Sequence, residues 1–319
     1  MATAPPARAE QSVRESSIPV PAYAPDALVA AADGRDRAAP GPAEGDQTAS
    51  SASRRQRSDQ RKKRRGAAVV GVIGEVLITL GVVLGLYVVW ELVWTDVEAN
   101  AEASDIRQQI VEDKEWIEPA PAAGGQYAPQ HDPAVDPPPV DENPLAVPAF
   151  GEAWGILHVP RWGEGYQVPI VEGTHRVKIL NKGLIGHYEG TQGPGEIGNF
   201  ATSAHRTTYG KPYNKVADLQ AADSLVVETA QYYFVYKVLP GERGRDCETN
   251  CGREIVYPSA TRVIWPVPNE ADGEPTQRIM TMTTCHPMFS AEQRYVIWGE
   301  LAYWTDKSEG PLEELAGQG

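Results

Sequence analysis

Cys285 stands in the stretch TMTTCHP (281–287), after a run of β-forming residues and before a histidine and a proline. A thiol does its chemistry as thiolate, and a neighbouring imidazole or guanidinium makes that ion easier to form. The chain has six histidines, so the choice of partner is small. His131 falls in a Pro-rich stretch. His286 adjoins Cys285, where strand alternation turns it to the opposite face. His158, His175 and His187 lie in or near strands and turns and read as structural. His205 differs: in SAHRTTYG it ends a strand and opens a Gly-containing loop, where catalytic groups often sit. Arg294 begins the apolar run after Cys285 and can face it in an antiparallel pair. Its planar cationic fork could hold a carbonyl or a developing oxyanion. The bland alternative for Cys285 is a buried thiol acting as a small hydrophobe.

The other two cysteines, Cys247 and Cys251, flank a three-residue stretch inside the polar insertion GERGRDCETNCGRE. A loop disulfide is expected there, with free thiols as the alternative. No second Cys or His pair stands at zinc-site spacing, so no metal is expected, and no nucleotide or flavin signature points to another cofactor. Cys285 is left unpaired, which in an exported protein needs an explanation.

Short β-rich segments must position these groups. From Trp154 onward, WGILHV, YQVPIV, NFATSA, SLVVET, QYYFVYKVL, EIVYP, RVIWPV, RIMTMTT and RYVIWGELAYW are separated by Gly, Pro, Asn and Asp. That pattern predicts an all-β barrel or sandwich, with short helices around 175–183 and 212–219. A catalytic domain is expected over 151–305, followed by a C-terminal tail, 306–319.

The upstream part has a different character. The formal net charge is −14, which argues against nucleic acid as a partner. Yet RRQRSDQRKKRR (54–65) is densely basic and is followed by AAVVGVIGEVLITLGVVLGLYVVW (67–90), almost wholly apolar. That run is long enough for a hydrocarbon core of ~30 Å and lies too far from the N-terminus for a signal-peptide core. A single transmembrane helix is expected, with the basic block inside the cell and the C-terminal part outside. Glu75 interrupts the run, as a helix–helix contact or as a charge tolerated near the inner face. Residues 1–66, poor in large apolar groups before the basic block, read as a disordered cytoplasmic tail. Over 91–150, a short polar helix (98–117) and a stiff Pro-rich spacer (about 120–144) are expected to hold the next domain away from the lipid.

TMTTC resembles the TLxTC signature of sortases, the membrane-anchored cysteine transpeptidases of Gram-positive bacteria. HRTTYG is similar to the segment carrying their histidine, and QRYVIWGEL to the strand carrying their arginine. PIVEGT, GLIGHYEGT and GPGEIGNFATSAH also match, so the resemblance covers roughly 152–304. HRTTYG, the GELAYW end and the long N-terminal tail look most like class E. Met282 stands where Leu is usual, and Ala204 where Gly is common. The resemblance implies a closed barrel of about eight strands with short helices. It implies Cys285 as nucleophile, His205 as imidazolium donor to the leaving amine, and Arg294 as positioner of substrate and oxyanion. It also implies the partners: secreted proteins with an LAxTG- or LPxTG-type sorting motif, LAxTG preferred, and an amine of a lipid-linked cell-wall precursor. A papain-like peptidase would have its cysteine before its histidine, and an L,D-transpeptidase would carry a His-Gly-Cys motif. A surface scaffold built on the same barrel is the non-enzymatic alternative.

Overall fold

The computed structural model describes residues 48–121, 125–142, 145 and 148–316. The chain divides at Val70/Gly71 into two units. In the first, residues 48–70 belong to a helix, α1 (Thr48–Val111). Residues 48–66 therefore depart from the disorder expected of the tail. Their Ala, Arg, Gln and Lys are good helix formers that extend the helix of the apolar run. The rest of the tail, 1–47, lies outside the described residues.

In the second unit, α1 carries a nearly unbroken row of exposed apolar side chains from Val72 to Val97. Its most apolar stretch has mean hydropathy 2.4 with none of it buried, so it is long and apolar enough to cross a membrane. The helix then continues to Val111, without the break expected before a separate polar helix. Beyond Trp94 one face turns inward: Asp96, Ala99, Ala103 and Ile110 are buried. Ala103 packs with Val171, Ile179 and Leu184 of the β domain.

That domain is a single sheet of nine strands: β1 (Ala153–His158), β2 (Gln167–Glu172), β3 (Ile185–His187), β4 (Gly198–Ser203), β5 (Ser224–Glu228), β6 (Tyr232–Val238), β7 (Arg253–Val256), β8 (Arg278–His286) and β9 (Gln293–Asp306). The order β6-β5-β1-β2-β3-β4-β8-β9 closes through a β6–β9 pairing, and β7 adds to the free edge of β9. The expected eight-stranded closed barrel is present, with β7 as a ninth strand. Closure removes the sheet edges on which unpaired backbone groups would otherwise wait.

β8 explains why TMTT is so β-rich and so buried. Met280 and Met282 enter the main core with Phe200, Ile297 and Tyr236, while Ile279, on the other face, packs with Val256, Val296 and Trp298. Between them, the buried threonines find acceptors on β4 or just beyond it. Thr281 donates to Asn199 Oδ1 at 2.7 Å, Thr283 to the Thr202 carbonyl at 3.1 Å and Thr284 to the Ala204 carbonyl at 2.7 Å. Each such bond contributes only about 1 kcal/mol, but an unpaired buried hydroxyl would cost more. The threonines thus staple β8 to β4 up to the residues before Cys285 and His205.

Four expectations need correction. RVIWPV is not a strand: Thr261–Ile264 form a 3-10 helix, and Pro266 and Pro268 deny the following residues ladder donors. β3 went unread because it is only three residues long. The described part of the Pro-rich spacer lies on the barrel. His131 exchanges backbone hydrogen bonds with Trp304 (2.9 and 3.1 Å) and stacks on its ring at 4.3 Å. Val140 enters the main core, and Asp141 takes a bidentate pair from Arg278 at 2.8 and 2.6 Å. The segment is not extended throughout: the Val135 and Asp136 N–H groups donate to the Asp132 carbonyl at 3.0 and 2.8 Å, and Pro139–Asp141 form a 3-10 turn. Likewise residues 306–316 are held: Leu312 packs with Val226, Tyr233 and Tyr303, and Lys307 Nζ, wholly buried, lies 2.8 Å from Glu228 Oε1.

Candidate active site

Strand register brings the three expected residues together. β4 and β8 run parallel with Ser203 opposite Thr283, and the Ala204 N–H donates to the Thr283 carbonyl at 3.3 Å. His205 follows beyond the strand, between Ala204, whose carbonyl accepts from Thr284, and Arg206, which donates to the Cys285 carbonyl, so its backbone lies beside the end of β8 where Cys285 stands. On the other side of β8, Arg294 of β9 is the direct antiparallel partner of Cys285. A directly opposed pair has Cβ atoms ~5 Å apart on the same face. Cys285 is half-buried and free, so a peptide can reach it.

His205 is held by an unforeseen partner. Asn181 Oδ1, in the 3-10 turn Leu180–Lys182, lies 2.8 Å from His205 Nε2. An amide oxygen only accepts, so Nε2 carries the proton and Nδ1 keeps its lone pair. The ring also lies against Tyr209, centroids 5.3 Å apart. Burial, reinforced by the nearby Arg176 cation, lowers the His205 pKa to about 4. The resting imidazole is neutral at neutral pH, and the imidazolium expected from the resemblance must form during the reaction.

Arg294 is oriented by its own loop: Nη1 donates to the Ala291 and Gln293 carbonyls, both at 3.0 Å. The rest of its fork can meet a substrate. Arg206, overlooked in the sequence, supports the site from the opposite face. It is buried, lies over the Tyr295 ring at 5.3 Å, and donates through Nη1 to the Cys285 carbonyl at 3.3 Å and toward His286 Nδ1 at 3.0 Å. His286 is thereby committed away from Cys285; its pKa is lowered by burial and then by Arg206. The adjacent letters HR in SAHRTTYG were the available signal, since alternation sends neighbours to opposite faces. His158 and His187 are bound to Glu228 and Glu172, at 2.7 and 2.6 Å, and contribute nothing to this site. Cys247 and Cys251 are joined as a disulfide. Among the described residues, no His/Cys/Asp/Glu cluster could hold a metal.

Comparison with known proteins points to one family. A family model described as Sortase domain matches residues 157–302. Sortase SrtE2 of Streptomyces coelicolor is 32% identical over 270 residues, 81% of this chain and 93% of that one. The chain belongs to the sortase family. Members of this family are cysteine transpeptidases. Sortase SrtE1 of the same organism is 31% identical, the match spanning 81% of this chain and 65% of that one. In structure, the SrtA sortase from Actinomyces oris aligns with a TM-score of 0.50 and 36% identity, over 60% of this chain and 99% of that one. The two Streptomyces relatives agree with the class E character of HRTTYG and GELAYW.

Proposed function

We propose that this sortase is anchored by α1 with its basic block in the cytoplasm and its barrel outside the cell. There it cleaves a C-terminal LAxTG- or LPxTG-type motif between Thr and Gly. It then transfers the new carboxyl terminus to an amine of a lipid-linked cell-wall precursor. The observation that supports this reading is the pairing of Cys285 with Arg294 across β8 and β9, with His205 leaving the end of β4 on the other side of β8.

In this reading Cys285 Sγ attacks the threonine carbonyl carbon while its proton passes to the free Nδ1 of His205. The carbonyl oxygen becomes an oxyanion held by the Arg294 guanidinium. The tetrahedral adduct collapses, the C–N bond breaks, and the glycine amine leaves with the proton that His205 returns. The acceptor amine reverses the sequence. It attacks the thioester carbon, gives a proton to His205 and expels the Cys285 sulfur, which is reprotonated. Asn181 keeps the ring turned for both transfers by accepting the Nε2–H hydrogen bond. The anchor serves the same chemistry, since both reactants would meet the enzyme at the outer membrane surface.

The test incubates the full chain in nanodiscs with LAxTG and LPxTG peptides and an amine acceptor, and weighs the products. A peptide–amine conjugate, and a Cys285→Ala variant with no product, are expected. Ligation surviving in Cys285→Ala would overturn the assignment.

A further inference from the structure

The face of α1 that follows the apolar run meets both loops around His205. Asp96, two residues beyond Trp94, is only 9% exposed, although an Asp at the edge of an anchor would ordinarily be solvated. Its carboxylate is directed at the loop that leaves His205. Oδ1 accepts from the Gly210 N–H at 3.0 Å, and Oδ2 lies 2.6 Å from Lys211 Nζ. One helical turn on, Ala99 is buried on the other loop at His205, the one containing Asn181. At Gly183 (φ +72°) a methyl group would come within 2.8 Å of the Ala99 carbonyl oxygen. Glu102 pairs with Lys182 at 2.6 Å, next to Asn181. At Gly210 (φ +73°) a methyl would lie 2.7 Å from Asn100 Oδ1. Both turns thus lie against the helix, Gly183 on its backbone, where no side chain fits between, and Gly210 on the end of the Asn100 side chain.

We propose that the Asp96–Glu102 segment of α1 is a working part of the active site, with Asp96 a positioning residue that fixes the two loops between which the His205 ring is held. The reasoning is geometric. His205 is oriented by Asn181 on one side and Tyr209 on the other. Each of these flanks a contact with the same stretch of helix. Charge-assisted hydrogen bonds are about twice as strong as neutral ones, and two of them, both partly buried, act on the turn that follows Tyr209. Lys211 and Tyr209 both hold positive φ, a conformation that non-glycine residues keep only where the surroundings impose it. The anchor and the proton-transfer group are therefore mechanically continuous. A catalytic domain cut free before residue 112 would retain its barrel and lose the restraint on its histidine.

This inference rests on the catalytic reading of His205, and the experiment separates the two. Full-length protein in nanodiscs is compared as wild type, Asp96→Ala, Asp96→Asn, Lys211→Met and His205→Ala. Peptide turnover, thermal midpoint and the imidazole NMR titration of His205 are read for each. A misplacement of ~1 Å can cost ~10²-fold in rate. Asp96→Ala should therefore lower kcat at least tenfold with KM for the peptide nearly unchanged, and raise the His205 titration point as the ring gains solvent. Asp96→Asn keeps the acceptor for Gly210 N–H and should recover most of the rate. Lys211→Met should have a small effect. If His205→Ala stays active, the catalytic reading fails. If His205→Ala is dead while Asp96→Ala matches wild type in kcat and titration, this inference alone is overturned. A fall in thermal midpoint and rate together, with the His205 titration unmoved, would mark Asp96 as merely structural and overturn it equally.

Discussion

Two kinds of histidine sit in this barrel, and their partners tell them apart. His187 Nδ1 lies 2.6 Å from Glu172 Oε2, and its other nitrogen is within 3.0 Å of the Gln192 carbonyl and Thr191 Oγ1. His158 Nε2 lies 2.7 Å from Glu228 Oε2, whose other oxygen holds the buried Lys307 ammonium. Those rings are pinned by carboxylates and tie strand to strand. His205 has a neutral amide, Asn181, and a cation, Arg176, as its neighbours. An amide orients a ring without stabilising its charge, and a cation discourages that charge. A ring held in place and neutral at rest, with no carboxylate to trap the proton it takes up, suits a proton carrier.

The sharpest break in this comparison removes one histidine of each kind. His205→Ala should lower kcat/KM by roughly 10²–10⁴-fold, the usual share of general acid–base catalysis, with little change in thermal midpoint. His187→Ala should do the converse. It leaves the buried Glu172 carboxyl without its hydrogen-bond partner, a loss of about 1–3 kcal/mol, while the folded fraction stays active. Turnover per folded molecule, set against a denaturation curve, distinguishes them. Equal effects of the two substitutions would dissolve the distinction.

Next in size is Arg294→Lys. A point charge cannot donate from the loop-bound fork and meet an oxyanion in the same geometry. The loss of one such donor costs roughly 10²–10³-fold in kcat. Single-turnover acylation kinetics check it: a normal acylation rate would mean the guanidinium plays no part in the first step.

Asn181→Asp turns the partner of His205 into one resembling that of His187. The added carboxylate should raise the His205 pKa from about 4, moving the acid limb of kcat/KM upward in pH. The stability sign follows. In the wild type the folded pKa lies below the ordinary value of ~6.5, so the unfolded chain binds the proton first. The His205 contribution to stability is complete above about pH 6.5 and is lost as pH falls toward 4. In Asn181→Asp that loss should shrink or change sign, which urea midpoints at pH 4.5 and 7 would detect.

How much of this was legible in the sequence depends on the range of the interaction. The strand-forming runs, the cysteine and its arginine partner follow from alternation and adjacency, because β8 and β9 are joined by a short hairpin-like loop. The strand-end position of His205 was readable too. Asn181 was not, since its contact to His205 spans 24 residues, and Arg206 was signalled only by its place next to His205, its contact to Cys285 spanning 79. The α1 face was hidden for another reason. Asp96, Ala99, Ala103 and Ile110 repeat at helical spacing, but alanine carries little apolar weight, and the surrounding Glu and Asp made the stretch look merely polar. RVIWPV misled in the opposite direction: its β-branched residues suggested a strand, and its prolines were the better guide.

The smallest expected effect belongs to the cysteines that do no chemistry. Cys247 and Cys251 close a loop of separation four, and a ring that short restricts the unfolded chain little, by about 2 kcal/mol from chain entropy. Cys251 is buried and Cys247 half-exposed, so changing both to serine avoids leaving a new reactive thiol beside the old one. The double variant should lose no more than about that much in urea denaturation, with transpeptidation unchanged, because Cys285 lies on β8, away from the insertion that the disulfide closes. A thiol count should find one in the wild type under denaturing, non-reducing conditions and one in the double variant, the same cysteine in each. A drop in turnover per folded molecule would mean that the insertion before β7 bears on the site. β7 would be the route for that influence, since Val256 pairs with Arg294 in the ladder.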